Sequence, residues 1–142
     1  MPISVRITRG LLSPEGEREI LPRLAHALLE AHGLATNPFM QQNVIGHVIV
    51  ADESHAYVAG KPQSLAVIDV KVPSVTFRER EVQQRFVAAA TDLIDELKAG
   101  PHPKERTFVT VSHAVDGAWG IAGKAYSNDD LGQAIGAAAG AA

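Results

Sequence analysis

A chain of 142 residues, 46% of them hydrophobic and 20% charged, has the make-up of one globular domain that buries a core without disulfide or metal staples. Its net charge of −3 offers no general attraction to nucleic acid or to an anionic membrane. The absence of cysteine excludes disulfides, thiolate metal sites and cysteine nucleophiles. No apolar run approaches the length of a membrane span and no secretory pattern is visible, so a cytoplasmic location is expected.

In chain order, Ile3, Val5 and Ile7 alternate with Ser4, Arg6 and Thr8, the period-two pattern of a half-buried strand. Pro2 heads that strand, where its missing N–H costs the ladder nothing. With the initiator Met removed, Pro2 is a free secondary amine. An α-amino group titrates near 7.7–8.0, and burial or a nearby cation lowers that value toward a useful general base. The competing reading is that Pro2 merely begins a strand. Arg6 shares strand parity with Pro2 and Arg9 follows the strand end; either is a candidate to hold an anion and depress the amine's pKa, or a member of an ion pair.

Ser13-Pro14-Glu15 then reads as an N-cap, a proline at N1 and an acidic first turn. The helix it opens carries Ile20, Leu24, Leu28 and Ala31 on one face and ends near His32-Gly33. Asn37-Pro38 breaks the chain. Gln41, Gln42 and Asn43 form a polar cluster beside the nearly continuous apolar run Val44–Val50, which suits a strand covered on both faces with His47 as a core imidazole. Asp52 to Pro62 is expected to be loop. Ala66, Ile68, Val70 and Val72 mark a third strand, Thr76 an N-cap, and Val82, Phe86, Ala90, Leu93 and Leu97 a second helix stripe. Thr107–Ser112 reads as a fourth strand and Gly120–Lys124 as a Gly-rich turn. A short helix is expected over 128–135, with a fraying Gly/Ala tail beyond it.

The order repeats. Val58-Ala59-Gly60-Lys61 and Ile121-Ala122-Gly123-Lys124 lie 63 apart (121 − 58), as do the caps Ser13 and Thr76 (76 − 13). The economical reading is one α/β (α+β) domain over 1–142, built from tandem β-α-β units at about 2–63 and 65–127 with an extension at 128–142. Right-handed crossovers make each unit's strands parallel, and two units pair into a four-stranded mixed sheet with two helices on one face. The opposite face still carries apolar residues, which implies oligomerisation. Six scattered histidines without HxH or HExxH spacing give no metal site, and Lys61 and Lys124 lack the full phosphate-loop pattern.

Pro2 at the head of a strand–helix–strand unit, with Asp116-Gly117-Ala118-Trp119-Gly120-Ile121-Ala122-Gly123-Lys124 in the second half, resembles the tautomerase superfamily. That stretch is similar to the glycine–aromatic turn of 4-oxalocrotonate tautomerase, and Pro103 matches the family's loop proline. The doubled length resembles the fused members, which are trimers. The resemblance implies a cofactor-independent tautomerase or isomerase acting on a small-molecule 2-oxo or enol acid, with Pro2 as general base, Trp119 as an active-site aromatic and a homotrimer as the assembly. By the offset of 63 the counterpart of Pro2 is the internal Leu65, so one site per chain is expected. The family's carboxylate-binding arginines are not matched: Asn43 and Phe108 stand five residues after the two loop prolines, leaving Arg9, Arg6, Asn43, Phe108 and Trp119 as substrate-side candidates. That departure keeps two alternatives open, a hydratase, dehalogenase or decarboxylase and a non-catalytic trimeric ligand-binding scaffold.

Overall fold

The computed structural model describes residues 1–141. In chain order the elements are β1 (Pro2–Thr8), α1 (Pro14–Ala31), α2 (Pro38–Asn43), β2 (Ile45–Ala51), β3 (Tyr57–Val58), β4 (Lys61–Pro62), β5 (Ala66–Pro73), α3 (Arg80–Leu97), β6 (Thr107–Ala114), β7 (Trp119–Ile121), β8 (Lys124–Tyr126) and α4 (Asn128–Gly140). One mixed sheet has the order β2-β1-β5-β6, with β1 parallel to β2, β5 parallel to β6, and β1 antiparallel to β5. The inward residues Ile3, Val5, Ile7, Ala66, Ile68, Val70 and Val72 meet Ile20, Leu24 and Leu28 of α1 and Phe86, Ala90 and Ile94 of α3 in one core. Each fully buried Leu, Ile or Phe there contributes about 1.5–3 kcal/mol. Arg23 ties the two helices together outside the core through a two-pronged pair with Glu96, at 2.9 and 2.8 Å.

The 63-residue offset reappears as geometry. The hairpins β3–β4 and β7–β8 turn at Ala59-Gly60 and Ala122-Gly123, with φ of 50° and 75° in the first and 50° and 82° in the second. Positive φ at both central residues is the two-residue turn whose twist matches the flanking strands. The segment expected as loop over 52–62 therefore holds a hairpin, in the same form as the second half.

Elsewhere the structure corrects the sequence reading. Asn37-Pro38 starts a helix instead of only ending one: the Asn37 side chain accepts from Met40 N and Pro38 takes the first-turn position, where an N–H is dispensable. Thr76 does not cap α3, which begins at Arg80 after a turn that holds the buried Phe77 at φ 56°. That left-handed backbone is strained for a bulky residue, and contacts with Phe86 and His32 offset the strain. Within the chain β2 is covered on one face only; Ile45 (59%), Ile49 (48%) and His47 are exposed, so His47 is no core imidazole. The tail expected to fray continues as helix to Gly140. Ser127 and Asp130 form a capping box at its start, Leu131 is buried, and the alanines beyond are strong helix formers.

Candidate active site

The site forms at the N-terminal end of β1. One step beyond the Ile3–Val70 pair, the antiparallel register places Pro2 opposite Lys71. Ile3 and Val70 point into the core, so their strand neighbours Pro2 and Lys71 lie on the face turned away from the helices, and both are exposed. The β7–β8 hairpin folds over this end and delivers Trp119. Met1, Pro2, Asn43, Ile45, Lys71 and Trp119 are among the residues lining a groove of about 500 Å³.

Met1 sits in the wall of this groove with its side chain buried. Its carbonyl accepts from Ile45 N at 3.1 Å and its amine donates to the Asn43 carbonyl, so it prolongs the β1–β2 pairing by one residue. Burial lowers the Met1 α-ammonium from 8.0 to about 6. With Met1 attached, the Pro2 nitrogen is a tertiary amide without an available lone pair. Met1, Asn43, Trp119 and Ile121 also line a second cavity of about 200 Å³, whose other walls include His32, Phe39 and Leu131. The Nε2 of His32 is buried without a hydrogen-bond partner, and burial pushes this imidazole's pKa down, toward the neutral form.

The structure brings Pro2, Asn43 and Trp119 together and leaves Arg6, Arg9 and Phe108 outside the groove of a single chain. Arg6 pairs with Asp69, its diagonal neighbour across the β1–β5 ladder. Arg9 donates through Nε to Asp52 Oδ1 at 2.6 Å, and that contact holds the Asp52 carboxyl below its usual range. Arg9 also lies at the far end of β1, some 20 Å from Pro2 at about 3.3 Å per residue. Phe108 faces outward on β6, 52% exposed. Asn43 donates one N–H of its side-chain amide to the Phe39 carbonyl at 2.7 Å, which fixes the side chain in the groove wall. Lys71 was not among the candidates read from the sequence. The signal that finds it is the β1–β5 register, which needs strand pairing as well as strand existence. Among the described residues, no group of three or more His, Asp or Glu is placed to hold a metal, and no helix is long and apolar enough to cross a membrane.

No family model matches the sequence, and no curated protein matches it. The fold has clear likenesses among solved structures. Pt0534 inactivated by 2-oxo-3-pentynoate superposes with a TM-score of 0.73 at 21% identity, over 93% of this chain and 99% of that one. A fused 4-OT symmetric trimer gives 0.73 at 18% identity over the same shares. FG41 malonate semialdehyde decarboxylase inhibited by 3-bromopropiolate gives 0.64 at 20% identity, over 85% of this chain and 88% of that one.

Proposed function

With the tautomerase-superfamily fold in its fused, two-unit form as the premise, we propose that this chain is a cytoplasmic, cofactor-independent tautomerase or isomerase of a small 2-oxo or enol acid. Pro2 acts as general base once Met1 is removed. The observation that carries this reading is the position of Pro2, at a strand terminus in the wall of a groove that Trp119 helps to cover. The amine at this chain end already titrates near 6 when it belongs to Met1, because burial penalises its charged form. The Pro2 amine, once free, is required to be shifted in the same direction, so that it is neutral when substrate binds. It takes the proton alpha to the substrate carbonyl, the electron pair moves onto the carbonyl oxygen as enolate, and the proton returns at the conjugated carbon.

Trp119 supplies an apolar wall and Asn43 shapes the floor. The chain assembles as a homotrimer: Ile45, Ile49 and Phe108 are large apolar side chains left exposed on the outer sheet face and at its edges. Phe108, exposed on β6, is offered to a neighbouring subunit, whereas Arg6 and Arg9 are held by Asp69 and Asp52. A second reading is favoured by the burial of Met1. A chain that keeps this residue has no free proline amine, and the scaffold then serves as a trimeric binder of small ligands.

Intact mass spectrometry of the purified chain decides between the two, with loss of Met1 expected. Enol-forming 2-oxo acids are then screened against the wild type and Pro2→Ala, and a fall in rate in the variant is expected. Retained Met1, or equal rates, contradicts the base assignment. Sedimentation equilibrium is expected to return three chains of 15.1 kDa; a monomer at micromolar concentration contradicts the assembly.

A further inference from the structure

The groove at Pro2 needs a cation for an acidic substrate, and the arginines read from the sequence are engaged elsewhere, Arg6 by Asp69 and Arg9 by Asp52. Lys124 is held by Asp130 and lies over the Tyr126 ring. Lys71 is different. It lines the groove together with Pro2, it stands directly across the ladder from it, and it enters no ion pair or hydrogen bond among the described residues. Directly opposed residues on antiparallel strands have Cβ atoms about 4.5–5.5 Å apart, so an ammonium on a four-carbon stem has Pro2's surroundings within reach.

We infer that Lys71 is the residue of this chain that binds the substrate's carboxylate beside Pro2. This inference rests on the reading of Pro2 as the base and adds the anchor which that reading lacks. A carboxylate held at Lys71 lies next to the proline nitrogen, so C3 of a 2-oxo acid, the carbon on the other side of the carbonyl from the carboxylate, is presented to the amine. The same ammonium disfavours protonation of Pro2, because two positive charges side by side repel. Besides Lys71, the charged or titratable groups around this corner are Asp69, His113, Asp116 and His47, which stands exposed on the same outer face of β2 opposite Ser4. Asp69, next on the same face of β5, is taken by Arg6; His113 on β6 bonds the Thr76 carbonyl at 2.8 Å; Asp116 accepts from Asn128 N at 2.7 Å.

The test uses two acetylenic probes on the full chain. One is 2-oxo-3-pentynoate, the acid that inactivates Pt0534; the other is 3-pentyn-2-one, which keeps the alkyne and carbonyl and lacks the carboxylate. The neutral Pro2 amine adds its electron pair to the alkyne carbon β to the carbonyl, and its proton passes to the α carbon, so nothing leaves and the chain gains the whole probe. Labelling of Pro2 is followed by peptide mass mapping against pH, for wild type, Lys71→Met and Lys71→Arg.

In Lys71→Met, labelling by the acid is expected to slow about 10- to 100-fold, the range of one charged hydrogen bond. Labelling by the ketone well above the amine's midpoint is expected to stay unchanged. The midpoint itself moves up in Lys71→Met, since removing the cation eases protonation, and Lys71→Arg restores both the midpoint and the preference for the acid. A Lys71→Met chain with the wild-type acid-to-ketone ratio and midpoint overturns the Lys71 assignment and leaves the base assignment standing. A wild-type chain whose Pro2 takes neither probe overturns both.

Discussion

The β1–β5 ladder has two ends that the 63-residue offset relates to each other, and they are built for opposite purposes. At one end Pro2 faces Lys71; at the other Leu65 faces Thr8, the counterparts of those two residues (65 − 2 and 71 − 8). The second end is sealed. Thr8 N donates to the Leu65 carbonyl at 3.1 Å, Leu65 N donates to Thr8 Oγ1 at 3.0 Å, and Thr8 is 2% exposed. The first end is open, with an exposed proline where the other has Leu65 and an exposed lysine where the other has a buried threonine. Trp119 overhangs the open end, while its counterpart Ala56 (119 − 63) is too small to cover anything. One duplicated frame thus carries one groove and one structural clasp. The two ends differ in the residues they carry, and not in the sheet that joins them.

The largest effect is expected where the halves pack differently. At Gly46 a Cβ would collide with the Ile3 carbonyl and come within 2.8 Å of Leu21 Cδ1, whereas the second half carries Thr107 in the matching register, paired with Ala66 as Gly46 is with Ile3. Gly46→Ala is expected to cost about 3 kcal/mol in urea unfolding, and a cost near zero would mean that α1 does not sit as close to β2 as described.

Next comes the wall of the open end. Trp119→Ala admits water beside Pro2, so the amine's midpoint rises and activity near pH 7 falls about tenfold. Ala56→Ser, at the sealed end, is expected to leave both unchanged. Equal responses at the two positions would erase the functional difference between the ends. The smallest effect belongs to the clasp itself. Thr8→Val leaves Leu65 N without its side-chain acceptor and is expected to cost about 1–2 kcal/mol of stability with no change in rate. A loss of activity there would mean that the sealed end takes part in the chemistry.

Much of this frame is legible in the sequence because the signals are local. The alternation of Ile3, Val5 and Ile7, the stripe of Ile20, Leu24 and Leu28, and the paired Ala-Gly-Lys turns each declare their element without help from the rest of the chain. The start of α3 is harder to read because Thr76 is a good capping residue type, and only the packing of Phe77 against Phe86 and His32 shows why the chain makes another turn first. The α2 helix is not declared by the sequence, since Asn37-Pro38 serves equally as a breaker and as a helix start. For the site, Pro2 and Trp119 are visible as a chain end and a lone aromatic in a glycine-rich turn. Lys71 is not, since nothing in an alternating strand says which of its outward residues will face the amine. Arg6 and Arg9 are close to Pro2 in sequence, but their carboxylate partners Asp69 and Asp52 come from segments far along the chain.

The central claim is that the free nitrogen of Pro2 does the chemistry, and it is tested most directly by covering that nitrogen while leaving the fold intact. The ketonisation rate of an enol 2-oxo acid is measured for the processed chain and for a chain extended by one residue that is not removed, with intact mass confirming both termini. The account predicts that the extended chain loses activity to the uncatalysed level, because an amide nitrogen has no lone pair to offer a proton. An extended chain that turns over the same substrate at the full rate would show that Pro2 only begins a strand and that another residue is the base.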